Sequence, residues 1–112
     1  MNQKDLLLVP FPFSDLSGRK VRPVIVISND DFNNISEDIL VVGVTSNFFD
    51  DKYTISLTNN DLEEGKLSTK CFVKVDNILK INKGLIIKKI GKIKKEKFNL
   101  FLNRLNELLK IK

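Results

Sequence analysis

The chain contains no histidine and no tryptophan, and it has a single cysteine, Cys71. Without histidine there is no Ser-His or Cys-His nucleophile pair, and the side chain that most often serves as a general base near neutral pH is missing. One cysteine cannot form an internal disulfide, and one sulfur without an imidazole leaves no nitrogen and sulfur ligand set for a structural zinc. A metal would have to be held by carboxylates alone. Long hydrophobic runs are also missing. The N-terminal stretch LLLVPFPF is too short, and too broken by Pro10 and Pro12, to span a bilayer. A secretory leader would need a basic start and a longer apolar segment, so the chain is expected in the cytoplasm with no membrane partner.

What is present is an ordinary globular composition. At 112 residues, 42% hydrophobic and 29% charged, the chain is expected to form one domain, residues 1–112, around one core. Its chemistry has to run on Arg, Lys, Thr, Ser, Asp, Glu or the only tyrosine, Tyr53. The net charge of +5 hides a division: residues 1–65 carry 5 Lys/Arg and 11 Asp/Glu, net −6, while residues 66–112 carry 14 and 3, net +11. A basic half of this size attracts polyanions, since Lys and Arg bind phosphate without regard to base sequence. The alternative is that exposed lysine is simply the ordinary state of that residue.

The apolar spacing reads mostly as short strands. Asp5–Val9 is closed by Pro10 and Pro12, which lack an N–H. Val21–Ile27 contains four consecutive β-branched residues, Val24 to Ile27, so both of its faces must be covered. Ile39–Thr45 is again nearly all apolar; Tyr53–Leu57 and Cys71–Val75 alternate, the latter with Lys74 outward, and Leu85–Ile90 runs up to Gly91. Short strands at this spacing predict a small closed barrel. The period then changes: Phe98, Phe101, Leu102, Leu105, Leu108 and Leu109 recur at helical spacing, which predicts an amphipathic helix over 94–111 packed on the barrel by its Phe/Leu face.

Two stretches carry candidate chemistry. In SDLSGRKVRPVIVIS, Ser14, Asp15, Ser17 and Gly18 favour turns, so Arg19 and Lys20 stand on an exposed cationic loop. Arg22 follows at the base of that loop, biased to an extended conformation by Pro23. A guanidinium on a rigid strand start can present a planar fork of donors to a phosphate; the alternative is an arginine that bridges a carboxylate. The second stretch, Thr45-Ser46-Asn47, puts three small polar residues at the end of a buried strand, where donors can be aimed at an anion or a turn can form. Phe48 and Phe49 beside it suit base stacking, a subunit interface or core packing.

The blocks LVPFPFSDLSGRKVRPVIVIS, VVGVTSN, FVKVDNI and IIKKIGKI, in that order ahead of a final amphipathic helix, resemble the MazF/PemK family of toxins from type II toxin-antitoxin systems. The resemblance covers nearly the whole chain. It implies a mainly β (α+β) fold, a small SH3-like β-barrel of the MazF/CcdB type with a C-terminal amphipathic helix. It also implies a homodimer and a metal-independent endoribonuclease (an mRNA interferase) that is sequence-selective for single-stranded RNA and needs no cofactor. By position, Arg22 corresponds to the catalytic arginine and Thr45 to the catalytic threonine, while Ser14, Asp15, Ser17, Arg19, Lys20, Ser46, Asn47 and Lys74 are the substrate-binding candidates. Cleavage of this type uses the RNA's own 2′-hydroxyl and leaves a 2′,3′-cyclic phosphate and a 5′-hydroxyl. The partners implied are RNA, a second copy joined through the third strand and terminal helix, and a cognate antitoxin whose disordered acidic and hydrophobic tail would fold onto the basic groove, with operator DNA met only through that complex. Two departures stand out. The family commonly has Gly-Asp where this chain has Lys4-Asp5, and many members have Pro-Ser where it has Lys70-Cys71. Two alternatives keep the barrel, a non-catalytic nucleic-acid binder and a gyrase-inhibiting toxin; the second works through a tryptophan-bearing tail, which this chain lacks.

Overall fold

The computed structural model describes residues 1–11 and 20–112. Among these residues seven strands, β1 (Asp5–Phe11), β2 (Lys20–Val26), β3 (Asp38–Thr45), β4 (Thr54–Leu57), β5 (Leu62–Gly65), β6 (Cys71–Asn82) and β7 (Lys88–Ile93), form one antiparallel sheet in the order β4-β6-β3-β2-β1-β7-β5. A short helix α1 (Asp30–Ile35) precedes β3, and α2 (Lys95–Leu109) ends the fold. β4 and β5 are the two edges of the sheet, yet only residues 58–61 separate them in the chain. The sheet therefore has to curl until its edges approach, which makes it a half-barrel. The edges meet through this connection, a 3-10 turn at Asn59–Asp61 whose Asp61 carboxylate accepts from Thr58 N–H at 2.8 Å.

The continuous apolar runs are explained by two cores. Leu6, Ile25, Val42, Val44 and Val73 point inward, where Phe98 and Phe101 of α2 fill the concave side. Leu7, Val9, Val24, Val26, Ile39, Val41 and Ile81 pack on the opposite face against Leu79 and Ile86. Neighbours such as Leu6 and Leu7, or Val41 and Val42, thus serve different cores, because strand side chains alternate between faces. Among the described residues no helix is long and apolar enough to cross a membrane.

Several elements differ from the reading of the sequence. β1 runs on through Pro10, because the β1–β7 ladder stops at Leu8↔Lys88 and no N–H is needed beyond it. β6 continues past Val75 to Asn82 by bending: its pairing with β3 jumps from Val42↔Ile78 to Gly43↔Lys74, leaving residues 75–77 outside that ladder. β7 begins at Lys88, not Leu85, since Asn82 caps a 3-10 turn at Lys83–Leu85 by accepting from Gly84 N–H at 2.8 Å. Helix α1 was not anticipated; Asn29 caps it by accepting from Phe32 N–H at 2.8 Å, and Asp30 and Asp31 sit in its first turn. β5 escapes notice because LEEG has no apolar alternation.

Lys4 has φ = +79°, the left-handed region that glycine occupies without penalty, which gives the Gly-Asp pattern of the resembling family a physical meaning. The backbone cannot relax there. Lys4 N–H donates to Val26 O and its carbonyl accepts from Ile93 N–H, both at 2.9 Å, so this residue ties β2 to β7. Lys4→Gly is expected to raise stability by about 1 kcal/mol, the strain relieved less the added freedom of the unfolded chain. Urea unfolding measures it; an unchanged or lower midpoint contradicts the strain.

Candidate functional site

The site is opened by a missing hydrogen bond. Ile27 N–H donates to Leu40 O, so alternate residues of β2, position 23 included, turn their backbone toward β3. Pro23 has no N–H to give, and the β2–β3 ladder ends at Val24↔Gly43. One further step along the same face of each strand, Arg22 and Thr45 stand across the gap where the two strands part. Both are partly exposed, and both line two clefts that meet at the split.

The first cleft, about 230 Å³, has an apolar floor of Val9, Val24 and Leu79 and a rim that includes Asn47, Phe49, Lys74 and Asn77. The second, about 760 Å³, adds Lys20 and Lys66 to Arg22, with Ser46, Ser68 and Thr69 as hydroxyls and Leu8, Val44 and Ile90 as floor. A tetrahedral anion at the split would thus find a guanidinium, a hydroxyl and flanking ammonium groups. The Thr45 Oγ1 accepts from Asn47 N–H at 3.1 Å, which orients the hydroxyl and leaves its proton for an acceptor in the cleft.

Lys74 is less outward than expected. Its side chain is 22% exposed, and Nζ lies 3.9 Å from Asp51 Oδ2, 3.8 Å from Asp76 Oδ1 and 4.1 Å from the centroid of the Phe49 ring. Desolvation works to raise the pKa of Asp51, but hydrogen bonds from the Thr54 hydroxyl and the Tyr53 N–H, together with the charge of Lys74, outweigh it and hold the carboxyl below its ordinary range. Asp51 therefore stays anionic at neutral pH and offsets part of the Lys74 charge.

The structure brings Arg22, Thr45, Ser46, Asn47, Lys20 and Lys74 around the two clefts. Ser14, Asp15, Ser17 and Arg19 lie outside the described residues. Lys66 and Asn77 were not anticipated. Lys66 arrives on the segment after β5, and Asn77 through the bend of β6, where its side chain packs over Gly43. A Cβ at Gly43 would come within 2.5 Å of Asn77 Nδ2. The polar pair Asp76-Asn77 inside an otherwise strand-like run was the available signal. Among the described residues, no three His, Cys, Asp or Glu side chains converge as a metal site.

The fold is thus a small antiparallel half-barrel closed by a C-terminal helix, with Arg22 and Thr45 lining both clefts at the split beside Pro23. Residues 2–109 match the PemK-like, MazF-like toxins of type II toxin-antitoxin systems, and the chain belongs to that family. Comparison with curated protein sequences finds no match. Among solved structures, a MazE-MazF complex from Deinococcus radiodurans superposes with a TM-score of 0.80 at 16% identity, covering 100% of this chain and 98% of that one. The Mycobacterium tuberculosis toxin MazF-mt6 gives 0.77 at 14% identity over 96% and 98%. An endoribonuclease in complex with its cognate antitoxin, from a mycobacterial species, gives 0.76 at 15% identity over 97% and 94%. At these identities the likeness concerns the fold.

Proposed function

We propose that the protein is the toxin of a type II toxin-antitoxin pair and acts as a metal-independent, sequence-selective endoribonuclease on single-stranded RNA. The observation that carries this reading is the joint position of Arg22 and Thr45 at the split between β2 and β3, each lining both clefts. Membership of the toxin family and the endoribonucleases among its structural neighbours support it.

The RNA supplies the nucleophile. Its 2′-oxygen attacks the adjacent phosphorus, the bond from phosphorus to the 5′-oxygen breaks, and the products are a 2′,3′-cyclic phosphate and a 5′-hydroxyl. One proton leaves the 2′-hydroxyl and one reaches the departing oxygen. Arg22, held on an extended strand start, donates to the phosphate oxygens as charge builds on them, and Thr45 donates its hydroxyl proton to the same group. Arg22 is unsuited to take the 2′ proton, since a guanidinium offers only donors and no acceptor; protonation of the leaving oxygen is the step it can assist. Lys20 and Lys66 attract the strand, as does the wider excess of lysine after residue 65.

The protein is cytoplasmic, and an antitoxin with an acidic, apolar tail covers the cationic clefts in the complex, as a cognate antitoxin accompanies the mycobacterial endoribonuclease and MazE accompanies MazF in the neighbouring structures. Operator DNA is bound only by that complex. Self-association covers the α2 residues Leu108 and Leu109, which are left exposed, whereas Ile39, Val41 and Val42 of β3 are already buried within the chain.

End-mapping of a long RNA after incubation with the purified protein tests the reading. Discrete cuts bearing 2′,3′-cyclic phosphate and 5′-hydroxyl ends are expected, unchanged by EDTA, with an all-deoxy strand left intact because it lacks the attacking oxygen. Loss of activity on chelation refutes the metal-free step. Strand binding without shortening would make the barrel a nucleic-acid binder and not an enzyme.

A further inference from the structure

Phe48 and Phe49 directly follow the Thr45-Ser46-Asn47 segment, and they are 65% and 44% exposed, so core packing does not account for them. Their surroundings are ordered. Phe49 lines the smaller cleft together with Arg22 and Thr45, and the Lys74 ammonium sits 4.1 Å from its ring centroid. Phe48 meets Phe72 edge-to-face, with centroids 5.5 Å apart and planes at 62°. Phe72 is the direct ladder partner of Thr45, so the two side chains share a face of the sheet, and Lys70 Nζ lies 5.7 Å from the Phe72 ring. Aromatic rings and ammonium groups are thus interleaved beside Thr45.

Resting on the endoribonuclease reading, we infer that Phe48, Phe49 and Phe72 form a stacking platform for the unpaired bases that flank the phosphate held by Arg22 and Thr45. Rings interleaved with cations suit a single strand of nucleic acid, whose bases present π-faces while its phosphates seek positive charge. They suit a subunit interface poorly, because the fully buried centre of such an interface is depleted in lysine, and here two of the three rings carry an ammonium group against them. Lys74 is already compensated by Asp51 and Asp76, so the exposed Lys70 carries the phosphate attraction of this patch. Stacking of this kind tolerates any base. The platform sets affinity for the strand and leaves base choice to the clefts.

The test measures affinity for a fluorescent RNA oligonucleotide made uncleavable by 2′-O-methyl groups, over a range of salt concentrations, with thermal melting to check each variant's fold. Phe48→Ala is expected to weaken binding about tenfold, the scale of one lost base stack. The slope of log K against log salt should stay unchanged because no charge is removed, and Phe48→Trp should restore affinity. Lys70→Ala should instead lower that slope by about one phosphate contact. Unchanged affinity in a folded Phe48→Ala protein overturns the platform, most directly if the same variant changes the oligomeric state by light scattering. Cleavage of unmodified RNA by the wild-type protein, run in parallel, separates the two claims. Cleavage with Phe48-independent binding sinks the platform alone, and Phe48-dependent binding without cleavage sinks the nuclease alone.

Discussion

Arg22→Ala should lower single-turnover cleavage of RNA by at least about 10²- to 10³-fold, the usual effect of removing one donor aimed at charge that develops in the transition state. On the proposed reading the effect belongs in the chemical step, with the Arg22 guanidinium on the phosphate at the split of the sheet, while Lys20 and Lys66, which line the same cleft, still attract the strand. RNA affinity should therefore fall far less than the rate. Arg22→Lys should not restore activity, since an ammonium cannot present the planar fork that contacts two phosphate oxygens at once. Thr45→Val, which keeps the side-chain shape but loses the hydroxyl, should produce a loss of the same kind, while Thr45→Ser retains much of the rate. Thr45 also has a local structural role through the Asn47 N–H, so its variants need a check of the fold. Cleavage by a folded Arg22→Ala protein at near wild-type rate would show that the chemistry lies elsewhere.

The second large effect is on stability. Phe101 of α2 is 1% exposed and meets Phe98 edge-to-face with centroids 6.3 Å apart, filling the concave side of the half-barrel. A sheet curled around an empty interior would leave Leu6, Ile25 and Val73 without partners, and α2 is what occupies that space. Phe101→Ala removes most of a ring from a site that strands on several sides prevent from collapsing, so a loss of about 3–5 kcal/mol is expected. That is a large share of the roughly 5–15 kcal/mol available to a domain of this size. The midpoint of thermal unfolding should fall by more than about 10 °C. Asn103, on the same helix but exposed, is the control, and its replacement by alanine should stay within about 0.5 kcal/mol. A small loss at Phe101 would mean that the helix is an accessory and not part of the core.

The amphipathic helix shows how much could be read in advance. Phe98, Phe101, Leu102 and Leu105 recur at a period that only a helix can align on one face, so its existence and its buried stripe were legible, and its ends moved by only a residue or two. β2 and β3 were legible for a similar reason. Val24 to Ile27 admits no exposed face, and the structure supplies a separate core on each side. Elements that depend on distant partners were not. LEEG becomes β5 only because β7 offers it a ladder, and the second half of β6 is a strand because β3 extends far enough to receive it.

The same division holds at the site. Arg22 beside Pro23, and the hydroxyls after a buried strand, were visible as two separate candidates with ordinary alternatives. The primary structure alone determined which side chains could do chemistry here, by excluding histidine and by restricting φ at Pro23, because those are properties of single residues. Whether Arg22 and Thr45 line the same cleft, whether Lys66 and Asn77 join them, and whether Phe48 and Phe49 meet water or the core were decided only by tertiary structure. Each depends on which strand lies beside which and where a ladder stops, and that outcome is set by the packing of the whole sheet, which the period of a local segment does not encode.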